Sequence, residues 1–124
     1  MTHILAVDDV YVNRELLRSI LEPIGYQVAL ATSVEEGLVL AQQAPPDLII
    51  SDLHMPDQDG FNFIARIKSD PRLSRIPFVF ISASVWGEKD RLTALDLGAV
   101  RFLIRPIEPE ELLKEVEECL NRGY

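Results

Sequence analysis

The stretch DLIISDLHMPDQDG, residues 47–60, decides how the rest of the chain is interpreted. Its apolar run, Leu48–Ile50, lies between Pro45-Pro46 and a polar segment. A short apolar run with β-branched members is typical of a strand buried on both faces of a parallel sheet. Asp52 then falls at the carboxyl end of this strand, and that edge of an open α/β sheet is where ligands bind.

Three further apolar runs end in polar groups: Asp8-Asp9 after Leu5–Val7, Ser82 after Phe78–Ile81, and Arg105 after Phe102–Ile104. Taken alone, Asp52 is better explained as a turn residue, because Asp favours turns. Carboxylates, a hydroxyl and a cation at four strand ends together favour a site for phosphate and a divalent metal.

Strand-like and helix-like segments alternate along the whole chain, which predicts five successive βα units. The predicted strands are residues 3–8, 26–31, 48–50, 77–82 and 100–104. Apolar residues at helical spacing mark the helices: Leu16, Leu17, Ile20, Leu21, Ile24; Leu38, Ala41; Phe61, Ile64, Ile67; Leu92, Leu95; and Leu112, Leu113, Val116, Leu120. Successive βα units imply an α/β fold, a doubly wound parallel sheet with helices on both faces.

Helix boundaries have signals of their own. Ser33, followed three residues later by Glu36, is a capping-box pattern. Gly98 lies where a left-handed C-terminal cap is expected after a fourth helix predicted from Trp86 to Leu97. Cys119, in the last helix, is expected in the core.

Composition limits the classes of function. A length of 124 residues predicts one domain, residues 1–124. Twenty acidic against twelve basic residues give a net charge of −8, which argues against direct binding to nucleic acid. Cys119 is the only cysteine, and the sequence has neither a signal-peptide pattern nor an apolar run of membrane-spanning length. These features predict a cytoplasmic protein without disulfides and without a membrane segment.

Motifs over the whole chain carry a family resemblance: Val7-Asp8-Asp9, Asp52-Leu-His-Met-Pro56, Asp59-Gly60, Ser82-Ala83 and Arg105-Pro106. Together they resemble the CheY-like receiver domain of two-component response regulators. The resemblance implies a flavodoxin-like strand order of 2-1-3-4-5, with the site between the first and third strands. The chain departs from the family pattern where Arg105 stands in place of a lysine.

The resemblance implies that Asp52 is the phosphoacceptor and that Mg²⁺ is the cofactor. Asp9, Asp52 and the backbone carbonyl of His54 would bind the metal directly, and Asp8 would act through water. Mg²⁺ prefers oxygen ligands and would offset the repulsion among three carboxylates. The alternative for Asp8-Asp9 is ordinary capping of the first helix.

The remaining site roles also come from the resemblance. Ser82 would donate its hydroxyl to a phosphoryl oxygen, and Arg105 would pair with the phosphoryl group or with Asp52. Ser82 and Phe102 would form the coupled pair of the switch, and the Arg105-Pro106 bond would be cis. The alternatives are a satisfied strand-end hydroxyl for Ser82 and a surface arginine for Arg105.

Other positions near the site have weaker signals. The triplet 57–59 has the Asp-x-Asp spacing of aspartate-nucleophile phosphatases, although Pro56 and Gly60 favour a solvated turn. His54 and Ser84 match family positions that tune loss of the phosphoryl group. Trp86 is expected near the mouth of the site.

The resemblance implies a signalling switch rather than an enzyme, although the domain would catalyse its own phosphorylation and dephosphorylation. A histidine kinase or phosphotransfer protein would phosphorylate Asp52. A surface of the fourth helix, fifth strand and fifth helix would then bind a downstream protein or an output domain. Formation of a homodimer is left open. Two alternatives remain: a binding module without phosphoryl control, favoured by Arg105, and a small Mg²⁺-dependent phosphatase.

Overall fold

A computed structural model of the chain describes residues 1–83 and 88–122. Within these ranges, five strands alternate with five α-helices. The strands are β1 His3–Val7, β2 Gln27–Ala31, β3 Leu48–Ser51, β4 Phe78–Ser82 and β5 Arg101–Ile104. The helices are α1 Tyr11–Leu21, α2 Val34–Gln43, α3 Gly60–Ser69, α4 Glu88–Asp96 and α5 Pro109–Asn121.

The five strands form one parallel sheet in the order β2-β1-β3-β4-β5, which confirms the predicted topology. The register places Val7 of β1 beside Ser51 of β3. The chain leaves β1 and β3 toward opposite faces of the sheet, which opens a crevice between their carboxyl ends. The register therefore delivers the residues that follow these two strands to the same crevice.

Side chains of the inner strands alternate between two apolar cores, one on each face of the sheet. On β3, Ile49 packs with residues of α2, α3 and α4. Leu48 and Ile50 pack on the other face with residues of α1 and α5. All three side chains are fully buried, so the prediction of a strand buried on both faces is confirmed.

The first helix is shorter than its apolar pattern predicts. Leu17 and Leu21 are buried, but Leu16 is 51% exposed and Ile24 is 57% exposed. Leu16 lies at the rim of an open apolar cleft of about 370 Å³ between α1 and the segment after β5. Ile24 belongs to a 3₁₀ turn that follows α1 and ends at Gly25, whose φ is 110°. The turn follows the end of α1 at Leu21, so Ile24, which the apolar spacing assigned to the helix, lies outside it.

The fourth helix differs most from its prediction. Leu92 is 56% exposed and Leu95 is 36% exposed, whereas Ala94 between them is buried in the core. Helical spacing identified Leu92 and Leu95 as an apolar pair. The helix is oriented so that Ala94, and not this pair, packs against the sheet. Gly98 has φ 111° and its N–H donates to the carbonyl of Leu95, as predicted for a C-terminal cap. Trp86 and Ser84 lie outside the described residues.

Two local predictions concern α2 and α5. The N–H of Glu36 donates to the hydroxyl of Ser33 at 3.1 Å, which confirms the N-cap. In a capping box the carboxylate of Glu36 would accept from the N–H of Ser33. Here it accepts from the N–H of Thr32, one residue earlier. Cys119 of α5 is 1% exposed and lies in the core. Burial raises the pKa of its thiol.

Candidate functional site

Three carboxylates meet at the carboxyl ends of β1 and β3. Asp8, Asp9 and Asp52 each present an oxygen, and these oxygens all lie within 4.8 Å of one another. Asp8 is fully buried, Asp52 is partly buried and Asp9 is exposed. The parallel pairing of β1 with β3 brings the three together, as the sequence predicted.

Both carboxylate oxygens of Asp8 already have partners. Oδ1 accepts from the N–H of Val10 at 2.9 Å, and Oδ2 accepts from Nη2 of Arg105 at 2.7 Å. The side chain of Arg14 also donates to the backbone carbonyl of Asp8 at 2.8 Å. Helix α1 has Val10 as its N-cap and no side-chain cap, so the alternative that Asp8-Asp9 caps this helix is not seen.

Arg105 bridges the two strand ends from the far side of the site. Its side chain is only 15% exposed, which excludes the surface-arginine alternative. Nη2 lies 2.7 Å from Asp8 and Nη1 lies 3.9 Å from Oδ1 of Asp52. Asp52 was the predicted protein partner, but Asp8 is the closer one, because the planar fork of an arginine reaches past Asp52 to the buried carboxylate.

The backbone at Arg105 is fixed as well. Its N–H donates to the carbonyl of Ser82 at 2.9 Å, which joins the ends of β4 and β5. The Arg105-Pro106 peptide bond is cis, as the resemblance implied.

Asp52 lies in an environment that disfavours its charge. Burial raises its pKa and the neighbouring charge of Asp8 adds to this effect. Arg105 and the N–H groups of Leu53 and His54 act in the opposite direction, and the net shift is upward. The N–H of Leu53 donates to Oδ1 at 2.7 Å. A cation placed among these carboxylates would therefore favour the ionised form of Asp52.

Ser82 and Phe102 lie on neighbouring strands. Ser82 ends β4 and is 1% exposed. Because side chains alternate along a strand, Ser82 shares a face of β4 with Phe80. The ring of Phe102 is partly buried and lies 6.1 Å from that of Phe80, centroid to centroid. Phe80 is thus a neighbour of both residues of the predicted switch pair, along β4 for Ser82 and across the sheet for Phe102.

The loop after Asp52 is anchored by two apolar side chains. Leu53 is 1% exposed and Met55 is 9% exposed, and both pack in the core that α2, α3 and α4 cover. His54 between them is exposed. The alternation leaves His54 at the site edge while its neighbours hold the backbone in place.

The carboxylates of Asp57 and Asp59 are exposed, as expected for a solvated turn, but both cap helices. Oδ1 of Asp59 accepts from the N–H of Asn62 at 2.8 Å and caps α3. Asp57 instead accepts from the first two N–H groups of α2. Its neighbours give no hint of this contact, whereas the Asp-Gly-x-Asn pattern at the start of α3 could have identified the role of Asp59.

Gly60 brings the start of α3 into close contact with the backbone at Asp52. A Cβ built at this position would lie 2.8 Å from the backbone oxygen of Asp52 and 2.5 Å from Cε1 of Phe80. The N–H of Gly60 also donates to the carbonyl of Leu53. Only glycine lets the first turn of α3 pack directly on the strand end that carries Asp52.

This fold and this arrangement of side chains at the β1/β3 crevice define a receiver domain. The sequence pattern of the family described as "Response regulator receiver domain" matches residues 4–117. The chain belongs to that family.

Individual relatives agree with the assignment. The KDP operon transcriptional regulatory protein KdpE of Escherichia coli is 38% identical over 122 residues, which cover 98% of this chain and 52% of that protein. An uncharacterized 14.6 kDa protein of Leptolyngbya boryana is 38% identical over 94% of this chain and 89% of its own length. The structure of the chemotaxis response regulator CheY4 of Vibrio cholerae is 31% identical with a TM-score of 0.90, over 96% of this chain and 98% of that one.

Several of these relatives are larger proteins. The chain spans about half the length of the transcriptional regulators that it matches. In residues 1–83 and 88–122, no helix has both the length and the apolar character needed to cross a membrane.

Proposed function

We propose that Asp52 accepts a phosphoryl group from a histidine kinase or phosphotransfer protein and that this modification switches a partner-binding surface. The observation that carries the proposal is the carboxylate of Asp52, partly buried at the β1/β3 crevice between two further carboxylates and the guanidinium of Arg105. Membership of the receiver family supports the same role for this strand end.

The donor set suits Mg²⁺, because clustered carboxylate oxygens and backbone carbonyls are hard ligands. Asp9, Asp52 and the backbone carbonyl of His54 would hold the ion. Asp8 would act through water, which fits a carboxylate whose two oxygens already accept from Val10 and Arg105. When bound, the ion would neutralise charge on the carboxylates and on the incoming phosphoryl oxygens.

The proposed reaction transfers a phosphoryl group from a histidine nitrogen of the partner to the carboxylate of Asp52. A carboxylate oxygen of Asp52 attacks phosphorus, so that an O–P bond forms while the P–N bond to the partner's histidine breaks. The leaving imidazole nitrogen keeps the electron pair and takes a proton from solvent. Arg105 keeps its positive charge throughout, because a guanidinium does not lose its proton in a protein. Attack of water on phosphorus later returns the free carboxylate and inorganic phosphate.

We further propose that the role is regulatory and that the domain is not a multiple-turnover enzyme. The Asp-x-Asp spacing at 57–59 suggested a phosphatase, but Asp57 and Asp59 are both engaged at helix N-termini. A carboxylate whose pKa is lowered is a weaker nucleophile than one whose pKa is raised, and the pKa of Asp57 is lowered whereas that of Asp52 is raised. This engagement argues against the phosphatase alternative.

The proposed output surface comprises α4, β5 and α5. It presents the exposed side chains of Leu92, Leu95 and Ile104. Beside them Arg101 pairs with Glu115 at 2.9 Å and with Glu118 at 3.6 Å. Exposed apolar side chains with a charged border suit a protein partner, an output domain or a second copy of the chain. The predicted lack of direct contact with nucleic acid and the cytoplasmic location stay predictions.

Intact-mass measurement after incubation with acetyl phosphate and Mg²⁺ tests the acceptor. The wild-type chain should gain one phosphoryl group that hydroxylamine removes, and Asp52→Asn should gain none. Asp96→Asn, on the exposed side of α4, is the matched control and should behave like wild type. Equal incorporation in Asp52→Asn would place the acceptor elsewhere, and repeated turnover of a phosphate ester would favour a phosphatase.

Two variants test the role of Arg105. Arg105→Ala leaves the fully buried carboxylate of Asp8 without its cation, which should cost about 3–5 kcal/mol of stability and reduce the yield of acyl phosphate. Arg105→Lys keeps a positive charge but loses the planar fork. It should change amide exchange from α4 through α5, measured with and without beryllofluoride, more than it changes the yield. Wild-type behaviour of Arg105→Ala in both measurements would contradict the assigned role.

A further inference from the structure

We propose that Asp57 is a positioning residue for the acceptor site: its carboxylate ties the loop of residues 52–59 to the N-terminus of α2. The tie fixes the segment that carries His54 relative to the end of β1, which carries Asp9. The inference rests on the proposed function, because these two segments supply the proposed metal ligands.

The tie consists of two hydrogen bonds across 22 and 23 positions of sequence. The N–H of Val34 donates to Oδ1 of Asp57 at 3.3 Å, and the N–H of Glu35 donates to Oδ2 at 3.2 Å. Ser33 accepts from the next N–H, that of Glu36. The first turn of a helix has no backbone partners for these groups. Two of the first three are therefore taken by the loop and the third by the helix's own cap.

The electrostatics agree with this geometry. Burial acts to raise the pKa of Asp57, but four backbone N–H groups, those of Glu35, Val34, Gln58 and Asp57 itself, together outweigh it and the net shift is downward. A negative carboxylate is also favoured at the positive end of a helix dipole. Asp57 is therefore held as a charged acceptor at α2.

Polar side chains around Glu35 reinforce the contact weakly. Nε2 of Gln58 donates to Oε1 of Glu35 at 3.1 Å, and Nη1 of Arg66 lies 2.6 Å from the same oxygen. These groups are exposed, and exposed ion pairs contribute little because solvent and salt screen them. Asp57, which bonds to backbone groups, is the more rigid link.

Helix α2 is in turn fixed against β1. A Cβ built at Gly37 would lie 3.0 Å from Cγ2 of Val7, so the helix backbone packs closely on the last residue of the strand. Val7 directly precedes Asp8-Asp9. The path from Asp57 through α2 to Val7 thus joins the loop after β3 to the end of β1, without passing through the carboxylate cluster itself.

A purely structural role is the competing explanation, since any cap stabilises its helix. Ser33→Ala provides the matched control, because it removes a side-chain cap from the same helix turn and leaves the loop contact intact. Asp57→Ala removes the tie, and Asp57→Asn retains the shape with one acceptor oxygen. The asparagine variant also keeps the test valid if Asp57→Ala fails to fold.

Amide hydrogen exchange of the metal-free protein is the first measurement. Asp57→Ala should accelerate exchange at the amides of residues 53–59, whereas Ser33→Ala should accelerate it at Glu36 and leave the loop unchanged. Asp57→Asn should fall between wild type and Asp57→Ala. Unchanged exchange in the loop of both Asp57 variants would overturn the proposal.

Calorimetric titration with Mg²⁺ is the second measurement. Asp57→Ala should raise the dissociation constant roughly three- to tenfold, at or below the effect seen for groups bonded directly to a metal ligand. Ser33→Ala should leave it within about twofold of wild type, as expected for a change remote from the metal ligands. Equal affinities in Asp57→Ala and Ser33→Ala would overturn the positioning role. A wild-type protein that binds no Mg²⁺ and accepts no phosphoryl group would contradict the proposed function instead.

Discussion

Helices α3 and α4 cover the same face of the sheet, yet the core holds them very differently. Helix α3 buries Phe63, Ile64 and Ile67 completely and begins at a capped N-terminus. Within its described residues, 88–96, helix α4 buries only Ala94. Helix α3 follows the loop after Asp52, and helix α4 precedes β5.

The difference assigns separate tasks to the two helices. Burying a large apolar side chain contributes about 1.5–3 kcal/mol to the stability of the fold. Moving α3 away from the sheet would lose several such contributions, whereas moving the described part of α4 would lose only the burial of Ala94. Elements with few buried apolar contacts open or shift most easily. The proposed acceptor site therefore lies beside a helix that resists movement, whereas the proposed output surface includes a helix that moves more easily.

Among the variants that test this comparison, replacing Phe63 by alanine should give the largest loss of stability. The ring is fully buried and packs edge-on to Phe78 with centroids 5.3 Å apart. Loss of a core phenylalanine destabilises by about 3–5 kcal/mol. Leu92→Ala in α4 should change stability by only about 0.5 kcal/mol, as for other exposed positions. Denaturant unfolding measures both, and a cost above about 2 kcal/mol for Leu92→Ala would show that α4 is packed like α3.

An alanine at Gly60 should have a smaller but more local effect. Its Cβ would meet the backbone oxygen of Asp52 and the ring of Phe80, and such overpacking costs about 1–3 kcal/mol. The displaced carbonyl belongs to Asp52, the proposed acceptor, so the yield of acyl phosphate should also fall. Asn62→Ala, in the same helix turn and exposed, is the control. A Gly60→Ala protein more stable than wild type would contradict the close packing of α3 on the site.

The smallest expected effect concerns the charge of Asp52. The pKa of Asp52 is raised in the folded state, with burial as the main cause. Ionised Asp52 therefore destabilises the fold as the pH rises above the pKa of the unfolded chain. Without Mg²⁺, Asp52→Asn should be more stable than wild type at neutral pH, and the gain should vanish in acid, where both forms are neutral. Urea unfolding across this pH range measures the gain, and a less stable Asp52→Asn at pH 7 would refute the assignment of a raised pKa.

Much of the fold and site follows from the sequence because strand ends are easy to locate. Apolar runs end visibly, and parallel strands deliver their carboxyl ends to one edge of the sheet. The meeting of Asp8, Asp9 and Asp52 needs one fact more, that β1 and β3 are neighbours, and this came from the family resemblance. This prediction does not depend on which residues form the neighbouring helices.

Contacts between side chains from distant segments of the chain were harder to predict from the sequence. The family resemblance placed Arg105 in the site but not beside Asp8, because the choice between two neighbouring carboxylates depends on the reach of the side chain. The contact of Asp57 with α2 depends on the path of a loop. A loop sequence has no hydrophobic periodicity from which that path could be predicted. In α4, spacing identified Leu92 and Leu95 as a pair without showing that the small Ala94 faces the sheet.

The burial of Cys119 has a practical consequence for observing the protein. A thiol reacts as its thiolate, and both the burial of Cys119 and its raised pKa suppress that form in the native state. Modification therefore requires α5 to separate from the core that it shares with α1. Helix α4 lies on the opposite face of the sheet. The rate at which a maleimide reagent labels Cys119 would therefore report opening on the α1/α5 side, and movements of α4 alone would not change that rate.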